Sequence, residues 1–291
     1  MNGANASPTR SASAIARSLK EGRSHQENDS DRKWVIITGA SSGIGRALAF
    51  QFAAGGFNLF LTARNESALR AVAAQCASKH GILTEVIGAD LSRMETVDHV
   101  IAALTSKPRL YEVLVNNAGF GIHGDFASSD IDQNIELVHV QVTSMLRLTR
   151  TILPAMIARR SGRILNVASV YSFSPVPFQS VYGACKAFLL SFSSSLQNEL
   201  QGTGVTVTVY CPGVTQTEFR ERAGIRQRRQ SAGMTAEAAA QIAYIETLRG
   251  KHIVVPGFLN RLYVFCAQHL PPRTVPSIVR FINRQRGQSH S

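Results

Sequence analysis

The chain is poor in the features that mark membrane-spanning, metal-binding or disulfide-linked proteins. No run of about twenty apolar residues occurs, so no spanning helix is expected. The 4 cysteines form no CxxC pair and no metal-ligand spacing, which predicts free thiols, a cytoplasmic location and no bound metal. Hydrophobic residues make up 44% and charged residues 17% of the 291 residues, which excludes collagen-like, coiled-coil and wholly disordered chains.

Acidic residues are scarce toward the C-terminus. Residues 220–291 contain twelve basic and three acidic side chains, and so hold nine of the twelve net positive charges. A nucleic-acid enzyme would carry its basic charge around the reactive cleft, so we expect no nucleic-acid partner. A basic C-terminal surface fits anionic lipid, an acidic partner or solubility alone.

The N-terminal region also lacks something: residues 1–33 have no apolar segment of the kind a secretory signal requires. Their Ser- and Ala-rich, basic composition fits a disordered extension or an organelle transit peptide, and we favour the extension. The predicted divisions are an extension over 1–33, a dinucleotide-binding domain over 34–256 and a basic amphipathic tail over 257–291.

From Trp34 onward, short apolar strands alternate with longer helical stretches. This alternation predicts a Rossmann-type α/β fold, a doubly wound parallel sheet of about seven strands with helices on both faces. The predicted strands cover 34–38, 58–62, 84–87, 112–115, 163–167, 205–210 and 252–255. The predicted helices cover 44–54, 66–79, 95–105, 132–158, 181–201 and 235–248.

A glycine-rich turn follows the first predicted strand and precedes a helix. Glycines let the backbone approach a pyrophosphate, whose charge is favoured at a helix N-terminus. No Lys-Ser or Lys-Thr pair follows the last glycine, which excludes an ATP-binding P-loop. The residues predicted to bind the cofactor here are Gly39, Ser41, Ser42, Gly43, Ile44 and Gly45.

The end of the second strand indicates which dinucleotide binds. An acid at this point grips the ribose 2′-hydroxyl of NAD, whereas an Arg receives the 2′-phosphate of NADP. The chain reads Leu61-Thr-Ala-Arg64-Asn65, without a carboxylate. Arg64 therefore predicts NADP(H).

Tyr182 and Lys186 lie four residues apart in a predicted helix, and so share one face. A phenol with a pKa near about 10 is a poor acid–base group at neutral pH, and a nearby cation lowers that pKa. Ser169 ends the fifth strand, where its hydroxyl can hydrogen-bond a carbonyl oxygen that gains negative charge. The three residues predict a carbonyl-reducing or alcohol-oxidising site.

With these motifs the sequence resembles the short-chain dehydrogenase/reductase family over about residues 34–256. The further matching pieces are Asp90-Leu91, Asn116-Asn117-Ala118-Gly119 and Pro212-Gly213. The resemblance implies that Asp90 contacts the adenine and that the segment containing Asn117 supports the sheet and the cofactor. It also implies that Tyr182 is the general acid or base, while Lys186 holds the nicotinamide ribose and tunes the tyrosine.

One position departs from the family pattern. The family usually has an Asn in the helix after the fourth strand, where it holds a water of a proton relay, and this chain has Gln141. Gln carries the same amide on a longer stem, so we expect the relay to persist with altered geometry.

The resemblance implies an NADP(H)-dependent oxidoreductase that moves a hydride between nicotinamide and a carbonyl or secondary alcohol. Apolar and aromatic loops predict a lipophilic substrate, such as a 3-oxoacyl, steroid-like or other ketone, and a role in lipid metabolism. The alternatives are a non-catalytic NADP(H)-binding sensor or interaction protein, and a dehydratase or epimerase acting on nucleotide sugars. We also expect a homo-oligomer.

Two segments outside these motifs bear on the substrate. Residues 214–234 are expected to form a mobile lid. The tail over 258–283 reads as two short basic amphipathic helices. These helices fit a peripheral membrane contact, a cover over the substrate cleft or a dimer interface, or an uncommitted surface.

Overall fold

The computed structural model describes residues 32–219, 223, 233–271 and 273–287, and side chains as far as Arg284. Nearly all of the extension expected over 1–33 lies outside these residues. The same holds for most of the lid expected over 214–234.

A seven-stranded, entirely parallel sheet forms the centre of the fold, with the strand order β3-β2-β1-β4-β5-β6-β9. Two further strands, β7 and β8, form a separate short ladder. The strands are β1 (Lys33–Thr38), β2 (Asn58–Ala63), β3 (Thr84–Gly88), β4 (Leu110–Asn116), β5 (Gly162–Val167), β6 (Val205–Tyr210), β7 (Thr215–Gln216), β8 (Met234–Thr235) and β9 (Ile253–Val254).

Seven of the described helices lie between strands of the chain, and two more follow β9. They are α1 (Gly43–Ala54), α2 (Glu66–His80), α3 (Met94–Thr105), α4 (Ile131–Val138), α5 (Ser144–Ala158), α6 (Ser180–Glu199), α7 (Ala236–Leu248), α8 (Phe258–His269) and α9 (Thr274–Gly287). Local signals set several ends: Asn65 accepts a hydrogen bond from an amide in the first turn of α2, and Gly81 ends that helix with φ of 63°.

Both faces of the sheet are buried, which explains why its strands are almost continuously apolar. Val35 and Ile37 of β1 face a core shared with α1, α2 and α7. Trp34 and Ile36 face a second core shared with α3, α5 and α6. The Rossmann-type fold predicted from the sequence is thereby confirmed, and so is its helical tail.

The strand order reverses at β1, which lies between β2 and β4. The connections that leave β1 and β4 run to opposite faces of the sheet, so a crevice opens beyond the carboxyl ends of these strands. This crevice is where the sequence motifs converge.

The long helix expected over 132–158 is interrupted by a π-helical turn, His139–Thr143, between α4 and α5. The turn leaves Val140 and Gln141 both buried, together with Ser144 and Met145 in the next turn. A π turn shifts the helical register by one residue, and such turns occur frequently at functional sites.

The tail consists of α8 and α9, here called the tail helices. Among the described residues, no helix has both the length and the apolar character needed to cross a bilayer.

Candidate active site

The glycine-rich turn lies at the start of α1, at one end of the crevice. Gly39 and Gly43 adopt φ of 66° and 54°, a region that favours glycine. A Cβ on Gly45 would collide with the Gly39 carbonyl and the Asn117 amide. Small residues thus leave the N-terminus of α1 open to an anionic group.

Asn117 ties the end of β4 to the end of β1. Its Nδ2 donates to the carbonyls of Thr38 and Gly39 at 2.9 and 3.2 Å, and its backbone N–H donates to Thr38 Oγ1 at 2.9 Å. The amide of Ala118 donates to the same hydroxyl at 3.0 Å. These bonds fix the glycine turn against the floor of the crevice.

Two predicted cofactor residues follow β2 and β3. Arg64 is exposed, and its guanidinium lies 6.0 Å from the centre of the Phe120 ring. Asp90 accepts hydrogen bonds from the Ser92 backbone N–H at 3.0 Å and from the Ser92 hydroxyl at 2.8 Å. Leu91 beside it is buried.

Ser169, Tyr182 and Lys186 meet at the centre of the crevice. Ser169 Oγ accepts from the Tyr171 N–H at 3.2 Å and is hydrogen-bonded to the Tyr182 hydroxyl. Lys186 Nζ donates to the Val167 carbonyl at 2.9 Å and lies 5.5 Å from the centre of the Tyr182 ring. The motifs predicted from the sequence therefore form one cluster.

Burial governs the ionisation of this cluster. It raises the pKa of Tyr182 well above its ordinary value, and the hydrogen bond from Ser169 opposes that shift. It lowers the pKa of Lys186 from 10.5 to about 8, while the Cys185 and Cys211 thiols act in the other direction. Tyr182 thus keeps its proton at neutral pH, and Lys186 remains largely cationic.

Gln141 lies beside the cluster but outside the cavity wall. Its Nε2 donates to the Phe120 carbonyl at 2.8 Å, and within the described chain its buried Oε1 has no hydrogen-bond partner. The amide therefore presents an acceptor that a bound water would satisfy.

A cavity of about 930 Å³ joins these groups. Apart from Gly45 and Gln141, every predicted site residue lines it, including Pro212 and Gly213. Several other lining residues were not predicted as site residues from the sequence: Thr215, Thr217, Asn260, Tyr263, Val279, Ile282 and Asn283. The last five belong to the tail helices, and the apolar periodicity of these helices was the one feature of the sequence that indicated a contact with the cleft.

A doubly wound parallel sheet with a glycine-lined helix N-terminus at its switch point defines a dinucleotide-binding protein, and the Ser–Tyr–Lys cluster adds an acid–base site. The model of the short chain dehydrogenase family matches residues 33–228 of this chain. The chain belongs to this family, as the sequence motifs predicted, and is an oxidoreductase.

Known proteins similar to this chain differ in what they act on. The sulfoacetaldehyde reductase of Chromohalobacter salexigens is 36% identical over 224 residues, which cover 74% of this chain and 88% of that protein. A very-long-chain 3-oxoacyl-CoA reductase of Laccaria bicolor is 35% identical over 176 residues, 60% of this chain and 52% of that one.

Among solved structures, a short-chain dehydrogenase from Sphingobium yanoikuyae in complex with NADPH is 33% identical to this chain. It has a TM-score of 0.74, and the match covers 80% of this chain and 92% of that one.

Proposed function

We propose that this protein is an NADP(H)-dependent oxidoreductase that reduces the carbonyl of a lipophilic ketone or oxidises the matching secondary alcohol. The observation that carries the proposal is the convergence of Ser169, Tyr182 and Lys186 on the cavity that also contains the glycine turn. A non-catalytic sensor has no need of a buried acid–base pair in that position.

The cavity suits NADP(H). Gly39 and Gly43 line the cavity with φ values that favour glycine, and so leave the backbone at the N-terminus of α1 open to a pyrophosphate. Arg64 offers a cation for a 2′-phosphate at the end of β2, where no carboxylate would repel it. The solved relative from Sphingobium yanoikuyae holds NADPH, which agrees with this choice. When bound, the nicotinamide supplies or accepts the hydride.

The residues of the chain perform the acid–base part of the reaction. Tyr182, whose pKa is raised by burial, holds the proton that passes to the carbonyl oxygen during reduction. The Ser169 hydroxyl oxygen accepts from the Tyr171 amide, and its hydrogen, which is directed to the Tyr182 hydroxyl, can be donated instead to the carbonyl oxygen of a bound substrate. Lys186 is oriented by the Val167 carbonyl and brings a positive charge close to the phenol.

The substrate half of the cavity supports a lipophilic ketone. Tyr171, Phe219, Tyr263, Val279 and Ile282 contribute lining there. Among the described lining residues, Arg64 and Lys186 are the cations, and both have roles at the cofactor and the acid–base pair. A sulfonate such as that of sulfoacetaldehyde needs a further cation, whereas an acyl or ring system needs apolar contacts.

The test is NADPH oxidation measured against a panel of alkyl ketones, cyclic ketones and sulfoacetaldehyde. We expect the apolar ketones to give the higher kcat/KM, and Tyr182→Phe to abolish turnover while NADPH affinity stays near the wild-type value. A Tyr182→Phe protein that keeps most of its rate would refute the acid–base assignment. Preference for sulfoacetaldehyde would refute the substrate class.

The outer side of the tail helices supports a peripheral contact with an anionic membrane. Six large apolar side chains there are between 47% and 77% exposed: Phe258, Leu259, Leu262, Phe265, Ile278 and Phe281. Exposed arginines accompany them, and no Asp or Glu occurs after Glu246. Such a surface inserts apolar groups while each basic residue gains about 1 kcal/mol near anionic lipid. In a symmetric dimer through this surface, arginines would face arginines.

Co-sedimentation with vesicles of phosphatidylglycerol and phosphatidylcholine, and of phosphatidylcholine alone, tests this contact. We expect the full chain to bind the anionic vesicles, and a Phe258→Ser/Leu259→Ser variant to lose that binding. Phe126→Ser/Ile131→Ser removes equally apolar side chains, each 58% exposed, from another surface and serves as the control. Equal binding by both variants, or no binding at low salt, would refute the contact.

A further inference from the structure

The tail helices rest on the loop over residues 170–179, which joins β5 to α6. Val275 and Val279 of α9 form a buried cluster with Val176 of this loop. Tyr263 of α8 packs against the same cluster. The segment between the candidate catalytic residues is therefore the floor on which the tail is seated.

Three hydrogen bonds fasten the tail to this region. The Asn283 side chain, fully buried, donates from Nδ2 to the Pro177 carbonyl at 3.0 Å. Its backbone carbonyl accepts from His123 Nε2 at 3.2 Å, so that nitrogen carries the hydrogen. The Tyr263 hydroxyl is hydrogen-bonded to the hydroxyl of Ser174.

The loop held by these bonds has a strained residue near its end, two residues before α6 begins. Phe178 has φ of 66°, which a bulky side chain adopts where its surroundings hold it in place. Its ring stacks on His123 with the centres 6.2 Å apart, and its carbonyl accepts from Gly124 at 2.9 Å. The same histidine thus contacts the loop and the end of α9.

Side chains of both tail helices line the same cavity as the acid–base cluster. Tyr263, Val279 and Ile282 line it together with Ser169 and Tyr182. Ile278, one helical turn before Ile282, does not line the cavity, although the two side chains are similarly exposed, at 52% and 41%. One helix therefore offers two isoleucines, one at the cavity and one away from it.

We propose that the tail helices form the specificity wall of the substrate site, supplied by the same chain and clasped to the 170–179 loop by Asn283 and Tyr263. Ile282 and Val279 limit the size of the group attached to the carbonyl, and the clasp sets their distance from Tyr182. The proposal rests on the ketone-reductase function proposed above, but its clasp can be tested without turnover.

The wall is tested by comparing Ile282→Trp with the matched control Ile278→Trp in the full chain. NADPH-dependent reduction is measured for a short and a long methyl ketone, butanone and undecan-2-one. We expect Ile282→Trp to lower kcat/KM for the long ketone by about tenfold and to change the short one little. The control should leave both values unchanged. An equal change of kcat/KM in the two variants, or an equal loss for both ketones, would refute the role of Ile282 in the specificity wall.

The clasp is tested with Asn283→Asp, which keeps the shape of the side chain but cannot donate to Pro177. We expect faster hydrogen exchange in residues 174–179 and in α9, a higher KM for the long ketone and an unchanged Kd for NADPH. Gln268→Ala, an exposed amide of α8, is the control. Unchanged exchange in Asn283→Asp would overturn the clasp.

The two proposals fail differently. If the wild type reduces no ketone, the ketone-reductase function fails and the specificity wall falls with it, whereas the exchange experiment still decides the clasp. If the wild type reduces ketones but Ile282→Trp changes nothing, the wall alone fails.

Discussion

Replacing Lys186 with methionine is expected to change how the stability of the protein depends on pH. Lys186 is 5% exposed, and burial lowers its pKa from 10.5 to about 8. Below that pH the folded protein holds a buried cation. The substitution by methionine removes this charge and keeps a side chain of similar length. The variant also loses the hydrogen bond from Nζ to the Val167 carbonyl, but that loss does not depend on pH.

The sign follows from proton linkage. As pH rises past the folded pKa of about 8, the folded state releases the Lys186 proton while the unfolded state keeps it until 10.5. The unfolding free energy of the wild type then rises relative to the variant by about 1.4 kcal/mol per pH unit. Between pH 7 and about pH 9.5 the unfolding free energy of the wild type should therefore rise by about 2 kcal/mol relative to that of Lys186→Met.

Neighbouring thiols do not produce this difference. Burial raises the pKa of Cys185 to about 11 and that of Cys211 to about 12, so both stay protonated in the folded state near pH 9.5. Their contribution to stability is nearly the same in the wild type and in Lys186→Met, and it cancels in the comparison.

Urea unfolding at several pH values, with a reductant present, measures the effect. Lys107→Met removes an exposed lysine and should follow the wild-type profile. If the unfolding free energies of the wild type and Lys186→Met depended on pH in the same way, the conclusion that burial lowers the pKa of Lys186 would be refuted.

Three further changes test the cofactor side and the relay. Arg64→Asp should reverse the preference from NADPH to NADH in a binding titration; a wild type that prefers NADH would contradict the assignment. Gly45→Ala should weaken NADPH binding by at least about tenfold, because its methyl group meets the Asn117 amide; unchanged affinity would mean that the turn tolerates displacement. Gln141→Leu should lower kcat without changing the Kd for NADPH, and an unchanged kcat would remove its amide from the proton relay.

The central sheet was predictable because each buried strand is a short apolar run bounded by turn residues. The strand predicted over 205–210 coincides with β6, and other boundaries differ by a few residues. The β7–β8 ladder was missed, since two residues per strand are too few to produce a periodic pattern. The π turn at His139–Thr143 was missed because its cause is tertiary: the local sequence remains compatible with a regular helix.

The convergence of the motifs could be predicted for a related reason. In a doubly wound sheet, every motif that follows a strand reaches the same edge, so Ser169, Asp90 and the glycine turn had to lie close together. The hydrogen-bond partners of the individual side chains could not be predicted from the sequence. Nothing in it indicated that Lys186 would donate to the Val167 carbonyl, or that Gln141 would face Phe120.

The sequence of the tail helices does not directly show which face of α9 packs on the domain, but Asn283 provides one indication. Helix α9 carries two apolar stripes, one with Val275 and Val279 and one with Ile278 and Phe281. Periodicity alone does not say which stripe meets the domain. The first stripe continues to Asn283, whose amide finds a carbonyl on Pro177. A bilayer offers few such partners at the depth of a buried stripe. A lone Asn in an apolar stripe therefore favours docking on protein for that face, and it leaves the all-apolar stripe as the one available to lipid.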